Sequence, residues 1–258
     1  AANDGMLHAF YAGNSLTDPL GGSEAWAVIP GTVLPNLYKL ADRAFDNNFQ
    51  YSVDGTPTVG DAFDPSANAG SGAWKTILVG GLNAGGQGYY ALDVTDPLNP
   101  IGQWEFKWSD TCYAGTAATD QADCHLGYTF GNPTISKLAN GTWVVMVTSG
   151  YNNVNAPAKI GDGVGYLYVL NAFTGRIISK ITTGAGDATT PSGLSKIANY
   201  VDNSAVNNTT RQVYGGDLLG NIWRFDVNDN IPPAGINAVR IGTALDSSGV
   251  AQPITTKP

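Results

Sequence analysis

Charge is scarce in this chain, and basic charge scarcer still. Charged side chains make up 13% of 258 residues, with 13 Lys and Arg against 21 Asp and Glu and a net charge of −8. That balance argues against nucleic acid or an anionic membrane as partner, because binding phosphates needs a basic face. No apolar run approaches the ~20 residues that a membrane-spanning helix needs. There are two cysteines, Cys112 and Cys124, and no CxxC spacing that would mark a structural zinc site. Glycine and proline are plentiful instead, at 33 and 14 residues, and aromatics reach 10%. Such a composition suits many short strands joined by tight turns around a sizeable core.

The strands announce themselves by repetition. The run Tyr214-Gly215-Gly216-Asp217-Leu218-Leu219-Gly220-Asn221-Ile222-Trp223-Arg224-Phe225-Asp226 has a strand-like approach, a glycine turn, and a second strand with Trp and Phe on alternate positions. The same grammar recurs at Asn3-Asp4-Gly5-Met6-Leu7-His8-Ala9-Phe10, at Gly88-Tyr89-Tyr90-Ala91-Leu92-Asp93, and at Gly165-Tyr166-Leu167-Tyr168-Val169-Leu170-Asn171. Flanking strands repeat as well. Gly55-Thr56-Pro57-Thr58-Val59 and Trp74-Lys75-Thr76-Ile77-Leu78-Val79 precede one hairpin, and Gly131-Asn132-Pro133-Thr134-Ile135 and Trp143-Val144-Val145-Met146-Val147 precede another. Pro57 to Gly88 spans 31 positions and Pro133 to Gly165 spans 32. A fourth, more polar strand follows each, at Gln103-Trp104-Glu105-Phe106 and at 176–181. Four antiparallel strands per unit, repeated, predict an all-β propeller over residues 1–258 as one domain. Its inner aromatic strands are expected at 89–94, 166–170 and 222–227.

The chain opens on what reads as a third strand and closes on what reads as the start of a first, so a fragment of a longer polypeptide is expected. The 34–41 segment has the apolar spacing of a short helix and is placed as an insertion between blades. Cys112 and Cys124, with 11 residues between them, sit in one loop. A disulfide there would close a small loop, contribute about 3 kcal/mol, and imply an oxidising compartment. Two free thiols are the alternative.

The order of these strings (3–10, then Val53-Asp54-Gly55-Thr56-Pro57, Leu78-Val79-Gly80-Gly81, 88–95 and 214–226), together with the 34–41 insertion, resembles the PilC/PilY family over essentially the whole chain. The resemblance implies a modified, quinoprotein-like β-propeller in a large secreted protein of a type IV pilus system. It implies a role in promoting pilus assembly by opposing retraction, a place at or near the pilus tip, and adhesion. The implied partners are minor pilins of the tip complex and a host or surface receptor, with an extracytoplasmic location at the periplasm, outer membrane or cell surface. Many members hold calcium in a loop just before the Tyr-x-Gly-Asp strand, and that loop maps here to 202–211. Only Asp202 matches the family's acids. Asn203 and Asn207 are neutral candidate ligands, and Arg211 lies about where a closing acid is expected. Calcium takes six to eight oxygens, several of them anionic, so this loop is read as degenerate and tight calcium binding is not expected.

No catalytic or cofactor-binding constellation emerges from the remaining residues. Asp4, Asp93, Asp217 and Asp226 stand beside glycines at strand ends, where a carboxylate caps a turn. Asp61 and Asp64 are read as an exposed turn, His8 as a packed histidine, and His125 and the rest of the 110–125 loop as surface. Trp104, Trp143 and Trp223 are read as wedges between blades rather than sugar platforms. Gly85-Gly86-Gln87-Gly88 is a hairpin turn, since no helix follows to form a phosphate cradle. Two competing classes remain. A quinone-dependent dehydrogenase would use a related propeller, but its adjacent-cysteine disulfide is absent, and no quinone is expected. A scaffold propeller in envelope protein assembly would lack any adhesive role.

Overall fold

The computed structural model describes residues 1–109, 121–154 and 161–258. The first two strands, β1 (Leu7–Phe10) and β2 (Glu24–Val28), form an antiparallel pair. A four-stranded antiparallel sheet follows in sequence order: β3 (Thr58–Asp64), β4 (Ala73–Gly81), β5 (Gly88–Asp93) and β6 (Ile101–Lys107). The pattern repeats in β7 (Thr134–Lys137), β8 (Trp143–Thr148), β9 (Tyr166–Asn171) and β10 (Ile177–Thr182). It repeats again in β11 (Ile197–Asn203), β12 (Asn207–Gly216), β13 (Asn221–Asp226) and β14 (Asn237–Thr243). These are three successive propeller blades. The expected aromatic strands are β5, β9 and β13, each third in its sheet and paired on both sides.

Burial explains the strand sequences. The middle strands β5 and β8 are buried along their whole length, so they read as continuous apolar runs rather than alternating ones. The outer strand β10 is buried only at Ile177 and Ile181, and its half-buried middle carries the polar Ser179 and Lys180.

The core lies between blades. Ile77, Val79, Tyr89 and Phe106 of one blade pack with Val145, Val147, Tyr168 and Leu170 of the next. A second seam joins Val144, Met146 and Leu167 to Ile197, Val213, Trp223 and Phe225. The β1–β2 pair joins the first blade through Leu7, Val33, Leu78 and Leu92. The three tryptophans sit in these seams. Trp104 donates its indole N–H to the Ala172 carbonyl of the next blade at 2.9 Å, Trp143 meets Trp74 edge-on at 5.5 Å, and Trp223 packs in the second seam.

The insertion is a helix over Leu34–Ala41, of 3-10 rather than α type, with Pro35 in its first turn. Asp61 and Asp64 are not in a turn: both lie on β3, opposite Thr76 and Ala73. Three positions apart on a strand, their side chains leave opposite faces and cannot work as a pair.

Candidate functional site

The predicted calcium loop is the hairpin between β11 and β12. Tyr200 pairs with Gln212 and Val201 with Thr210, so Arg211 is the extra residue of a bulge. The bulge turns Arg211 toward Asp202, and Arg211 Nε donates to Asp202 Oδ2 at 2.7 Å. A second guanidinium nitrogen reaches the same oxygen. Asn203 lies opposite Asn207 in the register, and Asn207 Oδ1 accepts the Thr209 hydroxyl at 2.6 Å. The three predicted ligands are thus brought to one hairpin, but the single carboxylate already faces a cation. This donor set does not fit calcium, which needs several anionic oxygens free to converge.

The base of the hairpin docks on the preceding blade. Thr210 is buried. Its hydroxyl donates to Ser136 Oγ at 2.7 Å, and Ser136 donates to the Asn208 carbonyl at 2.7 Å. Asn228 donates to the Thr210 carbonyl at 2.7 Å and accepts the Ala139 amide at 2.7 Å. Thr209 pairs with Lys137 in parallel, joining the last two blades. A cleft of about 300 Å³ beside this seam is lined by Ala139, Asp202, Asn207, Arg211 and Asn230.

The strand-end carboxylates hold turns. Asp4 accepts the Met6 amide, Asp93 the Thr95 amide, Asp217 the Asn221 amide, and Asp226 the amides of Asn228, Asn230 and Ile231. Asp217 is fully buried and also accepts Asn221 Nδ2 at 3.0 Å, Trp223 Nε1 at 2.8 Å and Ser192 Oγ at 3.3 Å.

Two clusters differ from the sequence reading. His8 is not packed in the core but bracketed by acids, with Nδ1 2.8 Å from Glu24 Oε2 and Nε2 2.8 Å from Asp4 Oδ2. The bond to Glu24 is the largest influence on its pKa; desolvation opposes it, and the bond to and charge of Asp4 help carry the net shift above the ordinary 6.5. The cysteine loop is not all surface either: Asp123 and Cys124 are buried, and His125 is half-buried. Asp123 holds Lys180 Nζ at 2.9 Å and His125 Nδ1 at 2.8 Å. Lys180 Nζ also stands 4.1 Å from the centre of the Tyr166 ring. Burial pushes the Asp123 pKa up, but the His125 bond and the Lys180 charge outweigh it and hold it low. Cys124 is not a free thiol, while its predicted partner Cys112 lies outside the described residues. Glu24 and Lys180 are far in sequence from the groups they bind, and no local pattern marks either.

A sequence-family profile described as the PilY1 beta-propeller domain matches residues 1–258. Type IV pilus biogenesis factor PilY1 of Pseudomonas aeruginosa is 38% identical over 277 residues, covering 100% of this chain and 21% of that protein. A PilY1 homolog of Xylella fastidiosa is 34% identical, covering 98% of this chain and 16% of its own length. The crystal structure of the Pseudomonas aeruginosa PilY1 C-terminal domain superposes with a TM-score of 0.70 at 32% identity, over 100% of this chain and 48% of that one. The chain therefore spans only a minor part of the proteins it matches.

Proposed function

Since the chain belongs to the PilY1 β-propeller domain family, we propose that it is a non-catalytic module of a type IV pilus assembly protein. In this reading it promotes pilus extension by opposing retraction, acts at the pilus tip with minor pilins, and supports surface attachment. The observation that carries the reading is similarity, along essentially all of this chain, to a part of proteins named as type IV pilus biogenesis factors. The turn-holding roles of Asp4, Asp93, Asp217 and Asp226 support it, because they leave these carboxylates engaged by the fold rather than free for chemistry. An extracytoplasmic home and a Cys112–Cys124 disulfide belong to the same reading. No tight calcium site at 202–211 and no quinone are part of it.

Deleting the gene tests it. Surface pili should fall, and removing the retraction motor as well should restore them at least in part. Normal piliation and attachment after deletion would sink the pilus reading and leave the scaffold reading in its place.

A further inference from the structure

The insertion between the β1–β2 pair and the first blade builds a recess. It has a volume of about 660 Å³ and lies between the Leu34–Ala41 helix, the 49–51 segment and the 84–87 turn. That volume is in the range of ligand pockets, which run from about 300 to 1,000 Å³. Three aromatic rings on its walls are open to solvent: Phe49 is 49% exposed, Tyr51 51% and Tyr128 38%. Phe49 and Tyr51 are locked edge-on, with centroids 5.1 Å apart and planes at 89°.

Its polar groups are neutral with one exception. Asn36 and Gln50 contribute amides, and Lys39 is the single charged residue lining the recess among the described residues. Among the described residues Lys39 makes no ion pair and has only a long contact, 3.5 Å, to Gln50 Oε1. An unpaired cation beside open aromatic rings stands out in a chain of net charge −8.

The recess is held in shape from both sides. Glu105 of β6 accepts the Thr32 amide at 3.1 Å and the Thr32 hydroxyl at 2.9 Å, tying the root of the insertion to the first blade. On the other side the turn packs so closely that a Cβ on Gly85 would fall 1.7 Å from the Ser52 carbonyl oxygen, leaving room for glycine alone.

The lining chemistry selects the occupant. A pyranose has an apolar C–H face that stacks on an aromatic ring and a rim of hydroxyls that amides can bond in both directions. A lone ammonium adds preference for a carboxylate on the sugar. A peptide is a poorer fit, because among the described residues none that lines the recess lies on a blade strand, so no strand is there for a peptide to extend, and the open rings form walls rather than an apolar socket. We propose that this recess binds a glycan carrying a carboxylated pyranose, a sialic or uronic acid unit. The proposal gives the attachment part of the function above a ligand class. It is tested on purified protein without pili, so its failure and the failure of the pilus reading are separate results.

The test is titration calorimetry on the full-length protein with sialyllactose and with a hyaluronan tetrasaccharide, using lactose as the neutral control. One of the two acidic probes is expected to bind more tightly than lactose. Lys39→Ala and Tyr51→Ala, each checked for unchanged circular dichroism, should weaken it about tenfold, the effect of losing one charged bond or one stacking face. Gln50→Glu, which puts an acid beside Lys39, should weaken it likewise. Binding by neither acidic probe, equal binding of lactose, or binding that survives all three substitutions overturns the proposal.

Discussion

Arg211 closes on Asp202 across the β11–β12 hairpin, with Nε 2.7 Å from Oδ2. Both side chains are more than half exposed, so the pair stabilises the fold by about 1 kcal/mol or less. Its consequence is for ion binding: the guanidinium holds the one carboxylate that a cation would need. Calorimetry on the protein should find no tight calcium binding at 202–211. Acids introduced together at Ala205, Asn207 and Arg211 should create measurable affinity, by adding anionic oxygens and removing the competing cation. Micromolar binding by the unaltered protein, abolished by Asp202→Ala, would contradict this account.

The cysteines are expected to be joined. Alkylation without reductant, read by mass spectrometry, should label neither Cys112 nor Cys124. Labelling of both would remove the disulfide and the argument for an oxidising compartment that rests on it.

His8 sets a pH dependence of known sign. Glu24 and Asp4 favour its protonated form, so its folded pKa lies above the ordinary 6.5. A raised pKa contributes stability that is fully present below the unfolded value and fades as pH rises through the folded one. The ion pairs with Asp4 and Glu24 should therefore weaken as pH climbs above 6.5. Thermal melts of His8→Gln should lack that component, and a proton NMR titration should place the His8 midpoint above 6.5. A midpoint at or below it would show that desolvation wins over the two carboxylates.

The strands were legible because each blade repeats one pattern, a glycine hairpin followed by a strand carrying two aromatics: Tyr89 and Tyr90, Tyr166 and Tyr168, Trp223 and Phe225. Pro57 and Pro133 mark the approach to corresponding strands, and the spacing to Gly88 and Gly165 fixed the blade length. The Leu34–Ala41 insertion was legible from its apolar spacing, though not its 3-10 winding, which spacing alone does not encode. Side-chain partners were much less so. The Arg211–Asp202 contact depends on a bulge that shifts register by one residue between Tyr200 and Val201. The bracket around His8 needs Glu24, brought in by a pairing that is itself irregular at Ala9 and Phe10. Asp61 and Asp64 misled because an acid pair beside a glycine looks like a turn, whereas β3 runs straight through it. Cross-strand register, not composition, decides such contacts.

Asp217 offers the sharpest test of how the glycine hairpins are held. It is fully buried at the start of the turn between β12 and β13, and its two oxygens accept the Asn221 amide, Asn221 Nδ2, Trp223 Nε1 and Ser192 Oγ. Trp223 lies on β13 in the seam with the blade before it, and Ser192 lies in the connection from that blade to β11, so the carboxylate ties the hairpin to both. Hydrogen bonds to a charged group contribute about 1.5–3 kcal/mol each in net terms, and a buried donor left unpaired costs about 1–3 kcal/mol. Asp217→Ala should therefore destabilise the domain by about 3 kcal/mol or more in chemical denaturation. Asp217→Asn should cost less, since its carbonyl oxygen still accepts, though its amide would face the Asn221 and Trp223 donors. Exposed Asp246, which caps a surface turn through the Ser248 and Val250 amides at 2.8 and 2.9 Å, is the control. Asp246→Ala is expected to cost about 1 kcal/mol, the usual effect of losing a solvated turn bond. Equal losses at the two positions would mean that burial of the Asp217 network adds nothing to the hold of the turn.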